Sequence, residues 1–220
     1  MVDAGCGTGR NTFWSLKWGA RRVFAFDVDY STVEVARENL KTFSTAEVAC
    51  ASIYRFALPD TEAPDIVMSI GVIHHLADPQ LAVRRLVQSV REGGTVLLWV
   101  YGSEGNERLL RVLIPLRSAC AKIPINTLKK LAGILTIPIF IYVRTPFPKS
   151  TYLQHVARFQ FWHPHSIIFD QLFPNIAHYW NHDEVRALLR DSGLENIRIT
   201  RVNGMSWSAS GQRPLRDRAA

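Results

Sequence analysis

Val2-Asp3-Ala4-Gly5-Cys6-Gly7-Thr8-Gly9 decides how this chain reads. Met1–Ala4 has the character of a strand end, and Asn11–Trp18 has helical spacing, so the three glycines sit in a strand-to-helix turn. Glycines there let the backbone turn tightly and approach a ligand without a Cβ in the way. The following helix offers unpaired N–H groups at its start. A dinucleotide site would want Gly-x-Gly-x-x-Gly, but Arg10 stands at the third glycine, and no Gly-Lys-Ser/Thr follows to make a phosphate loop. Asp27 follows Gly9 by 18 residues and closes a second strand, Arg22–Phe26. An acid at that place can accept hydrogen bonds from both ribose hydroxyls of an adenosine.

Outward from this turn, strand-like and helix-like stretches alternate, which predicts a parallel sheet with helices on its faces. Ser31-x-x-Glu34 is a capping-box pattern ahead of Val33, Ala36 and Leu40, with Asp29 and Ser31 as helix-entry residues. Asp65–Ile70 reads as a buried strand. Asp78-Pro79 opens a helix closed by Gly93-Gly94, and Thr95–Tyr101 is a strongly apolar strand. From Gly105 to Pro174 the alternation stops. Helical spacing runs to about Ala132, interrupted by Pro115 and Pro124, and Leu131–Val143 carries no charge but includes Pro138. The α/β rhythm returns with a second capping pattern, Asn181-x-x-Glu184, then a strand at Asn196–Val202 and another within Gly204–Gln212. The organisation is therefore a core at 1–104, a mainly helical insertion or lid at 105–174, a return to the core at 175–212, and a tail at 213–220.

The chain has 220 residues and a formal net charge of +7, unevenly placed. Residues 1–104 hold 10 Lys/Arg against 12 Asp/Glu, whereas residues 105–220 hold 16 against 7. The second half thus carries the basic character, which suits an anionic surface or substrate. Three scattered cysteines, Cys6, Cys50 and Cys120, suggest neither zinc nor a disulfide framework, and no signal peptide is read, so a reducing cytoplasm is the expected setting. His155, His163 and His165 lie near Phe161 and Trp162. His-x-His without a third placed ligand makes a poor metal site, so packing or pocket lining is preferred and no metal is expected.

Four segments carry a family resemblance: Asp3-Ala-Gly-Cys-Gly-Thr-Gly9, Phe26-Asp-Val-Asp29, Asp65-Ile-Val-Met-Ser-Ile-Gly-Val-Ile-His-His-Leu-Ala-Asp-Pro79, and Glu92-Gly-Gly-Thr-Val-Leu-Leu-Trp-Val100. In order and spacing they resemble the motifs of class I S-adenosylmethionine-dependent methyltransferases, on the small-molecule side that includes quinone-biosynthesis enzymes. The resemblance covers residues 1–102 closely and 170–202 more weakly. It implies a Rossmann-like, doubly wound, mostly parallel sheet with a helical insertion after the fifth strand. It also implies S-adenosyl-L-methionine as cofactor, leaving as S-adenosyl-L-homocysteine.

By this resemblance Gly5, Gly7 and Gly9, with Cys6 and Thr8 between them, contact the methionine part, and Asp3 holds its amino group. Asp27 and Val28 serve the ribose side. Many relatives carry an acid near the adenine, but here the matching stretch is Ala51-Ser52-Ile53-Tyr54, leaving the Ser52 hydroxyl and the Ile53 N–H. Ile70-Gly71 lines the cofactor at the carboxyl edge of the sheet. His74 and His75 follow, and either is a candidate to take a proton from the acceptor, since imidazole titrates near neutrality. They equally suit helix capping or packing. His75, Tyr101 and Asp170 are the candidate substrate contacts.

The expected acceptor is a small molecule or a lipid, with O-, N- and C-methylation left open. Nucleic acid is disfavoured, because Ser69-Ile-Gly-Val-Ile-His-His75 differs from the Asn/Asp-Pro-Pro-aromatic pattern of base-methylating enzymes. An amphipathic lid, with peripheral membrane contact through 126–145 as the second reading, accounts for the insertion. Oligomeric state is not legible. The alternatives are an RNA or protein methyltransferase, or a cofactor-binding protein without turnover. The last is a reading prompted by Met1 lying four residues ahead of Gly5, where relatives have further elements.

Overall fold

The computed structural model describes residues 1–56, 63–147, 151–173 and 176–215. They fall into two compact units, Met1–Glu104 with His178–Ala220, and Gly105–Ala177. Residues 216–220 of the expected tail lie outside the described residues.

The first unit is a seven-stranded sheet in the order β3-β2-β1-β4-β5-β7-β6. Its strands are β1 (Val2–Ala4), β2 (Val23–Asp27), β3 (Ala46–Cys50), β4 (Ile66–Ile70), β5 (Thr95–Tyr101), β6 (Glu195–Val202) and β7 (Ser206–Gln212). The first five pair in parallel, while β7 runs antiparallel between β5 and β6. This is the doubly wound, mostly parallel sheet that the alternation predicts. Helices α1 (Arg10–Lys17), α2 (Tyr30–Leu40), α3 (Pro79–Ser89) and α8 (His182–Arg190) follow strands β1, β2, β4 and the excursion after β5. Chain order reverses at β1, whose neighbours are β2 and β4. A crevice outside the carboxyl ends of the strands is the usual ligand position at such a reversal.

Burial explains the pattern. Val2, Ala4, Phe26, Val67, Leu98 and Leu189 belong to one core cluster, each nearly inaccessible to solvent. Two of the expected caps form as read. Asp78 accepts from Leu81 N at 2.9 Å with Pro79 in the first turn. Asn181 and Glu184 close a full capping box. The box expected at Ser31 does not form. Asp29 caps α2 instead, accepting from Ser31 N at 3.0 Å and from the Thr32 hydroxyl at 2.7 Å, so the helix begins at Tyr30. A carboxylate two residues earlier is the stronger acceptor, and these hydrogen bonds, that from Thr32 foremost, hold its pKa down.

The second unit is helical: α4 (Glu107–Cys120), α5 (Ile125–Tyr142), α6 (Thr151–Val156) and α7 (Trp162–Leu172). Pro115 and Pro138 do not end their helices; both are exposed, where the ring and the lost N–H disturb no packed neighbour. Leu128, Ala132 and Thr136 bury one face of α5. Gly133 lies beside α7, where a Cβ would make an ordinary contact 3.7 Å from the His165 ring. His165 Nε2 is 3.1 Å from the Lys129 carbonyl, and His163 stacks on Phe159 with centroids 4.0 Å apart. These imidazoles are thus engaged in packing. Among the described residues no group of three or more His, Cys, Asp or Glu could hold a metal.

Candidate active site

The glycine turn is fixed from both sides. Gly5 N and Cys6 N donate to the Phe26 carbonyl at 2.8 and 3.0 Å, and Gly9 N donates to Cys6 O at 3.0 Å. Gly5, Gly7 and Gly9 all have positive φ, where side chains are strained. Two of these positions also leave no room for one. A Cβ on Gly5 would stand 2.3 Å from Val72 Cγ2, and one on Gly9 would stand 2.9 Å from Leu40 Cδ1. Gly7 differs, because nothing lies within 4 Å of its missing Cβ. That open side is where a ligand can meet bare backbone. Gly9 caps α1 in the left-handed region with no side-chain cap, and Asn39 steadies the turn by donating to Thr8 O at 2.9 Å.

Two carboxylates flank the turn. Asp27 sits at the end of β2, where Oδ2 accepts from Gly7 N at 3.0 Å and Oδ1 from Asp29 N at 3.1 Å. Through the β2–β3 pairing it lies opposite Cys50, and Ala51 N donates to its carbonyl at 2.9 Å. Ser52 and Ile53 therefore follow directly beside it. Ser52 is half-buried and its hydroxyl accepts weakly from Tyr54 N at 3.4 Å, while Ile53 turns into the core. Val28 is largely exposed beside Asp27.

Asp3 is fully buried. Its Oδ2 accepts from the Thr12 hydroxyl at 2.6 Å, but its Oδ1 has no hydrogen-bond partner. Burial raises its pKa to about 6, against the opposing effect of the Thr12 hydrogen bond. Burial likewise pushes the Cys6 thiol up to about 12, so this cysteine is no nucleophile. A buried acceptor left unmet is costly and suits a ligand that brings a cationic donor. The open side at Gly7 and the unmet oxygen of Asp3 together fit the amino-acid end of S-adenosylmethionine, and Asp27 suits its ribose.

Across the turn, Gly71 has φ +82 and its N–H donates to Trp99 O at 3.1 Å, carrying the chain from Ile70 over the edge of β5. Val72 then abuts Gly5, and Ile73–His75 forms one 3₁₀ turn. The two histidines part company here. His74 is fully buried and stacks on Tyr101 with centroids 3.7 Å apart, and its carbonyl accepts from His178 N at 2.8 Å. His75 is half-exposed and meets Tyr101 edge-on at 5.7 Å. Trp99 and Tyr179 complete a ring cluster, with Tyr179 stacked on Tyr101 at 5.4 Å. Asp170 is exposed on α7, in the helical unit rather than in the one that holds the turn.

Sequence reasoning did not single out Thr12, Val72, Asn39, Trp99 or Tyr179. Thr12 carried a legible signal, a hydroxyl one turn into the helix behind the glycines. The role of Val72 depends on how closely β1 and β4 approach, which no local pattern states.

A family model described as a methyltransferase domain matches residues 2–98. The ribosomal protein L11 methyltransferase of Shewanella pealeana is 30% identical over 99 residues, covering 44% of this chain and 32% of that protein. Human N-acetylserotonin methyltransferase, solved in complex with S-adenosylmethionine, superposes with a TM-score of 0.57 at 14% identity, over 98% of this chain and 47% of that one. A putative methyltransferase of Bacillus halodurans gives 0.59 at 12% identity, over 97% and 92%. Residues 2–98 thus match a methyltransferase domain, and the solved structures share its Rossmann-like fold, the human one holding S-adenosylmethionine. The match spans about a third of the length of such curated relatives.

Proposed function

We propose that this protein transfers a methyl group from S-adenosylmethionine to a small-molecule or lipid-like acceptor whose reacting group lies against the ring cluster at the carboxyl edge of β4 and β5. That cluster carries the reading. His75, Trp99 and Tyr179 each lie against Tyr101 at centroid distances of 5.4–5.7 Å, and the Val72 contact with Gly5 comes just before His75 in the chain. Flat aromatic faces favour a compact, largely apolar acceptor. When bound, the cofactor supplies a methyl group on a sulfonium, already a strong electrophile.

The protein's own work is to hold and align. The Asp3 carboxylate meets the amino group, Asp27 the ribose hydroxyls, and the backbone at Gly7 comes within reach of the methionine end. His75, the accessible imidazole of the pair, accepts the proton that a hydroxyl or amine acceptor releases, while His74 stays in the core. Alignment and exclusion of water account for the remainder.

A protein acceptor is the second reading, favoured by the likeness to ribosomal protein L11 methyltransferases. That likeness covers 44% of the chain and so bears on the cofactor more than on the acceptor. Two measurements decide. Calorimetric titration with S-adenosylhomocysteine is expected to show binding that Asp27→Ala weakens at least tenfold; no binding by the unmodified chain overturns the cofactor assignment. Label transfer from S-adenosylmethionine is then expected to enter phenols, amines or lipid-phase acceptors. Label found only in peptide or RNA refutes the small-molecule reading.

A further inference from the structure

Residues 105–170 hold nine Lys/Arg against two acids, and their apolar side chains are not all buried. The contrast is sharpest on α5. Leu128, Ala132 and Thr136 face the helical unit, at i, i+4 and i+8. On the opposite side, Ile134, Ile137 and Ile141 are 65%, 52% and 61% exposed, at the i, i+3, i+7 spacing of one stripe. Lys130 extends this stripe by one turn, and Tyr142 and exposed Pro138 flank it. Three β-branched aliphatics in a row gain nothing from water, and a helix whose exposed face is apolar asks for a covering phase.

The charge around the stripe says which phase. Lys129 and Lys130 stand at one end and Arg144 just past the other, with Lys122 ahead of the helix, and no Asp or Glu occurs between Glu107 and Asp170. An apolar stripe ringed by cations and free of acids matches the boundary of an anionic bilayer, where acyl chains lie under negative headgroups.

We infer that α5 docks this protein peripherally on anionic membranes, Ile134, Ile137 and Ile141 entering the headgroup boundary and Lys122 and Lys130 meeting lipid phosphates. Among the described residues α5 is the one helix long and apolar enough to cross a membrane by length and composition. At 1.5 Å per residue it reaches only about 27 Å, against a hydrocarbon core of about 30 Å. It also carries Pro138, two lysines and a buried face committed to α7, which fits lying in the surface rather than spanning it. The inference is independent of which acceptor is methylated.

Vesicle flotation of the full chain tests it. Binding is expected to phosphatidylserine-containing vesicles, to be absent with pure phosphatidylcholine, and to weaken with added salt. Lys130→Ala and Lys122→Ala should each lower binding about fivefold. The triple change Ile134→Ser, Ile137→Ser, Ile141→Ser should abolish it while leaving S-adenosylhomocysteine affinity and circular dichroism as they were. Failure to float with anionic vesicles at low salt overturns the inference, as does resistance to alkaline carbonate extraction, which would mean a spanning helix. A dimer that the triple change dissociates, in a chain that does not float, would assign the stripe to a second copy. Loss of cofactor binding in the unmodified chain would count against the proposed function and leave the membrane result standing.

Discussion

Replacing Asp3 by Asn tests the central feature of the site, a buried carboxyl with one unmet oxygen. The folded-state pKa stands at about 6 against an ordinary 3.8. Between these values the folded protein binds more protons than the unfolded chain, so stability falls as pH rises. The contribution is fully present below about pH 4 and is lost as pH passes through about 6. A shift of this size corresponds to about 3 kcal/mol. Asn keeps the acceptor for Thr12 but cannot ionise, and any cost of its buried amide hydrogens is the same at every pH. Urea unfolding followed by tryptophan fluorescence, run on both proteins across that range, isolates the group by difference. Relative to Asp3→Asn, the native chain is expected to lose about 3 kcal/mol between pH 4 and pH 7. Saturating S-adenosylhomocysteine should flatten this decline, because an ammonium donor at Oδ1 favours the ionised form. A flat difference without ligand refutes the raised pKa. A decline that the ligand leaves unchanged refutes the contact between Asp3 and the amino group.

Two further outcomes follow from the packing. Gly5→Ala should destabilise the fold by about 3 kcal/mol, combining a left-handed φ with a collision at Val72, and adding Val72→Ala should restore only the steric part; full restoration in chemical denaturation would show that the backbone conformation costs nothing. His74→Ala should cost about 3 kcal/mol through loss of a buried stacked ring, whereas His75→Ala should cost under about 1 kcal/mol and lower kcat roughly hundredfold with the cofactor KM unchanged. Equal stability losses would overturn the separation of core from site.

Much of the cofactor side was legible because it is local. The turn Gly5–Gly9, Asp27 18 residues later, and Ile70-Gly71 each sit where a strand meets its next element, so composition and spacing alone place them at one edge of a parallel sheet. Thr95–Tyr101 and the Asn181–Glu184 cap were equally plain, since hydrophobic runs and capping pairs act within a few residues. The strand Ala46–Cys50 has no such local signal: Ala-Glu-Val-Ala-Cys has one β-branched residue and lies at the sheet edge, where only pairing with β2 makes it a strand. Pro115 reads as an interruption of helical spacing but faces outward within α4, a matter of which side of the helix is covered.

The site shows the same division. The amino-acid pattern by itself pointed to a class of ligand, because glycines at 5, 7 and 9 free the backbone for close approach and an acid at 27 offers acceptors to hydroxyls. Only the tertiary structure decided between adjacent, chemically identical histidines, burying His74 under Tyr101 and leaving His75 at the edge. Only the tertiary structure set Val72 against Gly5 and left the second oxygen of Asp3 unmet. Burial and close approach are properties of segments that meet in space though far apart in the chain, as Gly5 meets Val72 and His74 meets Tyr101, and no periodicity within one segment encodes them.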